Sequence, residues 1–140
     1  MDVAADLDRL SDFIAPLAEA GSRVSLLVAA DERQLQASAQ AGAAVVELHT
    51  GAYCDFHAAG NHPAAEEELL RIARSGRFAA ELGLEVHAGH GLSYETVSPI
   101  AALPEVAELN IGHFLIGEAV FLGLGPAIAE MRRLMQSARR

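Results

Sequence analysis

Apolar residues along this chain follow two alternating rhythms. Leu7, Leu10, Ile14 and Leu17 recur at the spacing of one helical face, and Gly21 closes that segment. Pro16 falls inside the stripe and predicts a kink or an early fray, because it lacks the N–H that a helix interior uses. Val24-Ser25-Leu26-Leu27-Val28 follows, a short apolar run that predicts a strand buried on both faces. Asp31 stands where an N-cap is needed. The helix it opens runs through Leu35 and Ala39, and Gly42 ends it.

The unit then recurs. Ala44-Val45-Val46-Glu47-Leu48 predicts a second buried strand, and a long loop is expected from His49 to Pro63. Pro63 suits the first turn of a helix through Leu69, Leu70, Ile72, Phe78 and Leu82. Leu84-Glu85-Val86-His87 predicts a third strand, Ser93 to Ala102 a short helix, and Val106 to Ile111 a fourth strand. The remainder is helical, with a break from Gly123 to Pro126. Strands alternating with helices over short connections predict parallel βαβ units in a single α/β domain spanning residues 1–140. Alternation alone fits a small open sheet or part of a barrel.

The polar residues at the predicted strand ends bear on that choice. Glu47 and His49 close the second strand, His87 and His90 the third, and Asn110 and His113 the fourth. Parallel α/β folds carry their sites at the carboxyl ends of strands. Gly89-His90-Gly91 and Gly112-His113 add glycine turns there, and the second of these opens a helix whose unpaired N–H groups suit a phosphate. The break at Gly123 makes an extra short helix from His113 to about Leu122, a feature of barrels that hold phosphate near their last strands. Glu47 reads either as a functional carboxylate or as a structural one bonded to a neighbouring strand. His49 reads as a functional residue or as part of a turn with Thr50 and Gly51, and Asn110 as a site residue or as a turn residue bonding its own backbone. His90, between two glycines, has no packing rationale, which points to proton transfer.

Charge and cysteine usage remove several classes. The formal net charge is -9, and the terminal arginines Arg132, Arg133, Arg139 and Arg140 complement a helix dipole; a nucleic-acid partner is not expected. An anionic substrate therefore needs local backbone N–H groups and histidines rather than the overall field. The apolar stretch from Phe114 to Met131 is interrupted by Glu118, Gly123, Gly125 and Pro126, so no membrane span is expected. Cys54 is the only cysteine, which excludes an intrachain disulfide and, with an acidic start at Asp2, Asp6 and Asp8, suggests a cytoplasmic setting. No metal site is expected: His87 and His90 straddle a strand-to-loop junction, and His57 and His62 fall in the long polar loop, where solvent exposure is expected.

Three of these segments carry a family likeness. Glu47-Leu48-His49-Thr50-Gly51-Ala52-Tyr53, Ala88-Gly89-His90-Gly91-Leu92-Ser93-Tyr94 and Glu108-Leu109-Asn110-Ile111-Gly112-His113 resemble, in order, three signatures of the pyridoxine 5'-phosphate synthase family. Val24 to Val28 and Ala129 to Met135 also match, so the likeness covers essentially the whole chain. It implies the C-terminal half of a TIM (β/α)8 barrel, with four parallel strands alternating with helices and an extra helix before the last. The implied reaction condenses 1-deoxy-D-xylulose 5-phosphate with 3-amino-2-oxopropyl phosphate to pyridoxine 5'-phosphate, phosphate and water, in vitamin B6 biosynthesis. No cofactor or metal is implied. By the resemblance His90 is the proton donor late in ring formation, Glu47 stabilises the transition state, and Gly91, Gly112 and His113 bind the amino-ketone phosphate.

The departures are specific. The family chain is nearly twice as long, and its first four strands, with further catalytic residues, have no counterpart here. His87 stands where the family has asparagine, and Ala29 where it has aspartate. The expected partners are small phosphorylated substrates and either further copies of the chain or an N-terminal half-barrel. The alternative is a non-catalytic remnant that binds phosphate or assembles with a complementary half. Another phosphate-binding barrel enzyme, such as an aldolase, is a weaker reading: the chain has no lysine, which excludes a Schiff-base lysine in this half.

Overall fold

The computed structural model describes residues 1–140, with four strands and seven helices in the order α1 (Leu7–Glu19), β1 (Ser25–Val28), α2 (Glu32–Gln40), β2 (Val45–His49), α3 (Gly51–Ala58), α4 (His62–Glu81), β3 (Glu85–Gly89), α5 (Val97–Ala101), β4 (Val106–Asn110), α6 (His113–Leu122) and α7 (Leu124–Ala138). The strands form one parallel sheet ordered β1-β2-β3-β4. Each strand pairs with the next in the chain, which is the connectivity of a (β/α) barrel that has not closed. No helix is long and apolar enough to cross a membrane.

The helix termini follow their sequence signals. Asp31 caps α2 by accepting from the Gln34 N–H at 3.1 Å. Asn61 does the same for α4 through Ala64 N–H, with Pro63 in the first turn. Gly123, at φ 84°, ends α6 in a backbone conformation that side chains resist, and α7 starts at once. Pro16 does not end α1; the helix continues to Glu19, and Ala20 N–H still reaches Pro16 O.

One face of the sheet carries the core. Leu26, Val28, Val46, Leu48, Val86, Ala88 and Val106 join Ile14, Leu35, Ile72 and Ile100 in a single buried cluster. Fully burying one such leucine or isoleucine stabilises the fold by about 1.5–3 kcal/mol. The opposite face is uncovered. Ser25, Leu27, Glu85, Glu108 and Asn110 are exposed there, so the expectation that the first strand is buried on both sides fails: β1 alternates exposed and buried. That face is the inner wall of the half-barrel. His87 lies in it, yet is buried between Glu85, whose Oε1 is 2.8 Å from Nε2, and Glu108, 3.7 Å from Nδ1; Arg23 pairs with Glu85 at 2.7 Å.

Two expected elements differ. The loop expected from His49 to Pro63 contains α3. Its buried residues Gly51, Tyr53 and Cys54 lack the regular stripe of an amphipathic helix, because they pack onto the residues after β3: the Tyr53 hydroxyl donates to Thr96 O and Cys54 lies beside Thr96 Oγ1. The helix expected from Ser93 is shorter, since Ser93 to Thr96 forms a side-chain-bonded turn in which Ser93 N–H donates to Thr96 Oγ1 at 2.9 Å, and α5 begins at Val97. At the far end, Arg139 ties α7 back by donating to Ala101 O at 2.7 Å and to Val106 O.

Candidate active site at the strand ends

Glu47 points from β2 onto the inner face, and β4 holds its carboxylate. Asn110 Nδ2 donates to Glu47 Oε2 at 2.8 Å, so this asparagine bonds a neighbouring strand and not its own backbone. Between them runs β3, whose Gly89 pairs in register with His49 on one side and Asn110 on the other. A Cβ at Gly89 would sit 2.4 Å from Glu47 Oε1 and 2.7 Å from Asn110 O. Glycine is therefore required for the Glu47–Asn110 bond to pass over β3.

His90 is the one non-glycine residue with positive φ, at 78°. The left-handed conformation costs a side-chain-bearing residue about 1–2 kcal/mol, so the surroundings must impose it. Thr50, fully buried, supplies the restraint. Its N–H donates to Gly89 O at 2.8 Å, and its hydroxyl lies 2.8 Å from Gly89 O and 2.7 Å from His90 O, donating to one at a time. Thr50 is also the N-cap of α3, but its hydroxyl does not cap. His49 fills that place: its Nδ1 accepts from Gly51 N–H at 3.2 Å.

The rings of His49 and His90 stack, with centroids 4.3 Å apart and planes inclined by 27°. Burial, then the neighbouring positive charge that His90 can carry, then the N-terminal ammonium, lower the His49 pKa against the opposing pull of Asp55 and Glu47. Burial raises the Cys54 thiol, which marks it as an inert packing group.

A cleft of about 540 Å³ collects these parts: Glu47, His90, Gly91, Leu92, Asn110, Ile111, Gly112, His113 and Phe114 line it. The five residues to which the resemblance gives roles, Glu47, His90, Gly91, Gly112 and His113, are therefore brought together with Asn110, whereas His49 and His87 do not line this cleft. Gly91, at φ 88°, turns the chain after His90, and a Cβ there would lie 3.1 Å from Cys54 Cβ. Gly112 caps α6, and a Cβ on it would meet nothing within 4 Å, so the space before the helix is open. The unpaired N–H groups of that first helical turn suit an anion. Phe114 packs edge-on to Tyr94 at 4.7 Å, fixing the start of α6 against the loop after β3.

Other candidates lie elsewhere. His57, half-buried in α3, meets exposed His62 edge-on at 5.8 Å, away from the cleft. His87 sits deeper on the inner face with its glutamates, and Ala29 is exposed just past β1. No group of three or more His, Cys, Asp or Glu is placed to hold a metal ion. The sequence shows Gly89 only as part of a glycine turn and Thr50 only as a turn residue beside His49; that Gly89 makes room for the Glu47–Asn110 bond and that Thr50 clamps the next strand emerge once β2 and β3 are known to be neighbours.

A parallel sheet in sequential order, helices on one face and a cleft at the carboxyl ends of the strands define a (β/α)-barrel protein, here a half-barrel. Residues 1–137 match the family described as pyridoxal phosphate biosynthesis protein PdxJ, and the chain belongs to that family. It is 62% identical over 139 residues to a protein of Ruegeria pomeroyi named pyridoxine 5'-phosphate synthase, covering 99% of this chain and 56% of that one. A Roseobacter denitrificans protein of the same name is also 62% identical over 139 residues, with the same coverage. One from Rhodospirillum rubrum is 59% identical over 140 residues, covering 55% of its length. The chain thus spans about half the length of the curated relatives it matches.

Proposed function

We propose that this chain carries the Glu47–His90 pole of a pyridoxine 5'-phosphate synthase and acts once a complementary half-barrel closes the sheet. The observation that carries the reading is the single cleft shared by Glu47, His90, Gly91, Gly112 and His113. The substrates are 1-deoxy-D-xylulose 5-phosphate and 3-amino-2-oxopropyl phosphate, and the products are pyridoxine 5'-phosphate, phosphate and water. The α6 N-terminus, with Gly112 and His113, takes a substrate phosphate through backbone N–H groups, and Gly91 lets the ligand approach the chain closely. Binding at the phosphates holds two small molecules in reacting geometry. Glu47, oriented by Asn110, steadies positive charge developing on the condensing nitrogen. His90, exposed at the cleft wall, delivers a proton to a departing oxygen late in ring formation. A cytoplasmic setting and an oligomeric assembly belong to the same reading.

A second reading, a non-catalytic remnant that binds phosphate or assembles with a complementary half, is favoured by the unpaired edges β1 and β4 and the uncovered inner face. One experiment separates the two. The purified chain is assayed for pyridoxine 5'-phosphate alone and mixed with the portion of the Ruegeria pomeroyi relative that this chain does not match. Product in the mixture and none from the chain alone is the expected result. A stable complex without product supports the remnant and overturns the enzyme, whereas enzyme-like turnover by the chain alone overturns the need for a second half.

A further inference from the structure

His49 is not among the residues assigned a role above, yet its ring is held by a backbone N–H and by a second imidazole. It closes β2 in register with Gly89, so it stands beside the residue that precedes His90. Its ring lies flat against that of His90. Both rings rest on the backbone of Gly51, where a Cβ would come 2.5 Å from His49 Cε1 and 3.4 Å from His90 Cδ2. A side chain at position 51 would thus displace the His49 ring first and press on the stack.

The hydrogen bonding selects one form of this ring. Nδ1 faces the N–H of Gly51 at the start of α3 and accepts from it, so in neutral His49 the proton resides on Nε2. Protonating Nδ1 would break that bond and set two N–H groups against each other. It would also bring positive charge onto a ring 4.3 Å from His90. The charged groups facing His49 are His90, Asp55 and Glu47, together with the N-terminal ammonium; Arg71 shares the small cavity beside it and is occupied by Glu68 and Ala30 O.

We propose that His49 is a positioning residue for His90: a ring locked in its Nε2–H tautomer by Gly51, against which the His90 imidazole stacks and is aimed into the cleft. This rests on the reading of His90 as the proton donor. His90 sits on a strained backbone, which Thr50 restrains at the carbonyl but not at the side chain. The stack supplies the missing side-chain restraint, and aromatic pairs of this kind contribute about 0.5–1.5 kcal/mol beyond area burial. Because the partner ring is held neutral, it orients His90 without competing for the proton that His90 delivers.

The test uses the full 140-residue chain labelled with ¹⁵N-histidine, and needs no substrate. Long-range ¹H–¹⁵N spectra near neutral pH are expected to show His49 with a bare acceptor Nδ1 and a protonated Nε2. The ring protons of His90 are expected to be displaced upfield by the stack, to stay displaced in His49→Phe, and to lose that displacement in His49→Ala. A purely structural role for His49 would leave the His90 ring signals unmoved in His49→Ala, and that result overturns the proposal. So does the Nδ1–H tautomer in the unmodified chain. If His49→Ala does not fold, the tautomer and the upfield position of the His90 ring protons in the unmodified chain still decide, and His90 ring protons at ordinary positions overturn the proposal. Failure of the reconstituted turnover assay would remove the reaction and not the stack, so the two readings fail separately.

Discussion

Asn110 and Glu47 are hydrogen-bonded at 2.8 Å although they belong to strands that are not neighbours. Their side chains meet above Gly89 of the intervening strand, the one position there with no side chain to interrupt them. The carboxylate at the centre of the candidate site is thus held by a relationship among three strands, and each of the three residues has a distinct and separable part in it.

Gly89→Ala tests the space. The new methyl group meets the flexible end of Glu47 at 2.4 Å and, at 2.7 Å, the backbone oxygen of Asn110, which cannot move without shifting β4. Overpacking of this type costs about 1–3 kcal/mol. Urea denaturation of the chain is expected to show a loss in that range, and reconstituted turnover is expected to fall as Glu47 is displaced.

Asn110→Ala tests the bond. A hydrogen bond to a charged group is worth about 1.5–3 kcal/mol at the upper end of the scale, and 1.4 kcal/mol is about tenfold in rate. If the proposed function holds, kcat of the reconstituted complex is expected to drop about tenfold with the KM for either substrate little changed, since Asn110 would then orient a residue that acts in the transition state. A change in KM alone would count against this role.

Thr50→Val removes the hydroxyl that restrains the Gly89–His90 backbone and keeps the shape of the side chain. The one hydrogen bond of the hydroxyl is lost, while Gly89 O keeps the Thr50 N–H, at a cost of about 1–3 kcal/mol. Thr50→Ser, which keeps the hydroxyl, is expected to lie closer to the unmodified chain in urea midpoint. A loss in Thr50→Ser with little in Thr50→Val would show that the methyl group, not the hydroxyl, matters.

The lowered pKa of His49 has a consequence for stability. Burial first, and the charge of His90 second, make the folded chain less willing than the unfolded chain to protonate this ring. As pH falls through the ordinary histidine range the unfolded state takes up a proton that the folded state refuses, so stability declines. The contribution is complete above the unfolded value, near 6.5, and is lost as pH drops toward the lowered folded value. Urea midpoints compared between pH 8 and pH 5 are expected to fall less in His49→Phe than in the unmodified chain.

The raised pKa of the Cys54 thiol has the opposite sign. Burial keeps the folded thiol protonated, so its contribution is present below the unfolded value and is lost as pH rises above it. Alkylation by a neutral reagent at pH 8 is expected to be slow in the folded chain and fast in urea. Rapid labelling under native conditions would mean that α3 opens readily.

Much of this protein was determined by the sequence alone. The order of strands and helices, the cap at Asp31, Pro63 in the first turn of α4, the break at Gly123 and the placing of Glu47, His90, Gly91, Gly112 and His113 at strand ends all depend on local spacing, which a linear pattern records. Tertiary structure decided the rest. Helix α3 was illegible because Tyr53 and Cys54 answer to Thr96, some forty residues away, and not to a periodic stripe. The apolar run of β1 looked doubly buried because composition cannot say whether anything covers the second face. The Asn110–Glu47 bond, the Thr50 clamp and the His49–His90 stack join strands that register alone brings together, and register is a property of the folded sheet.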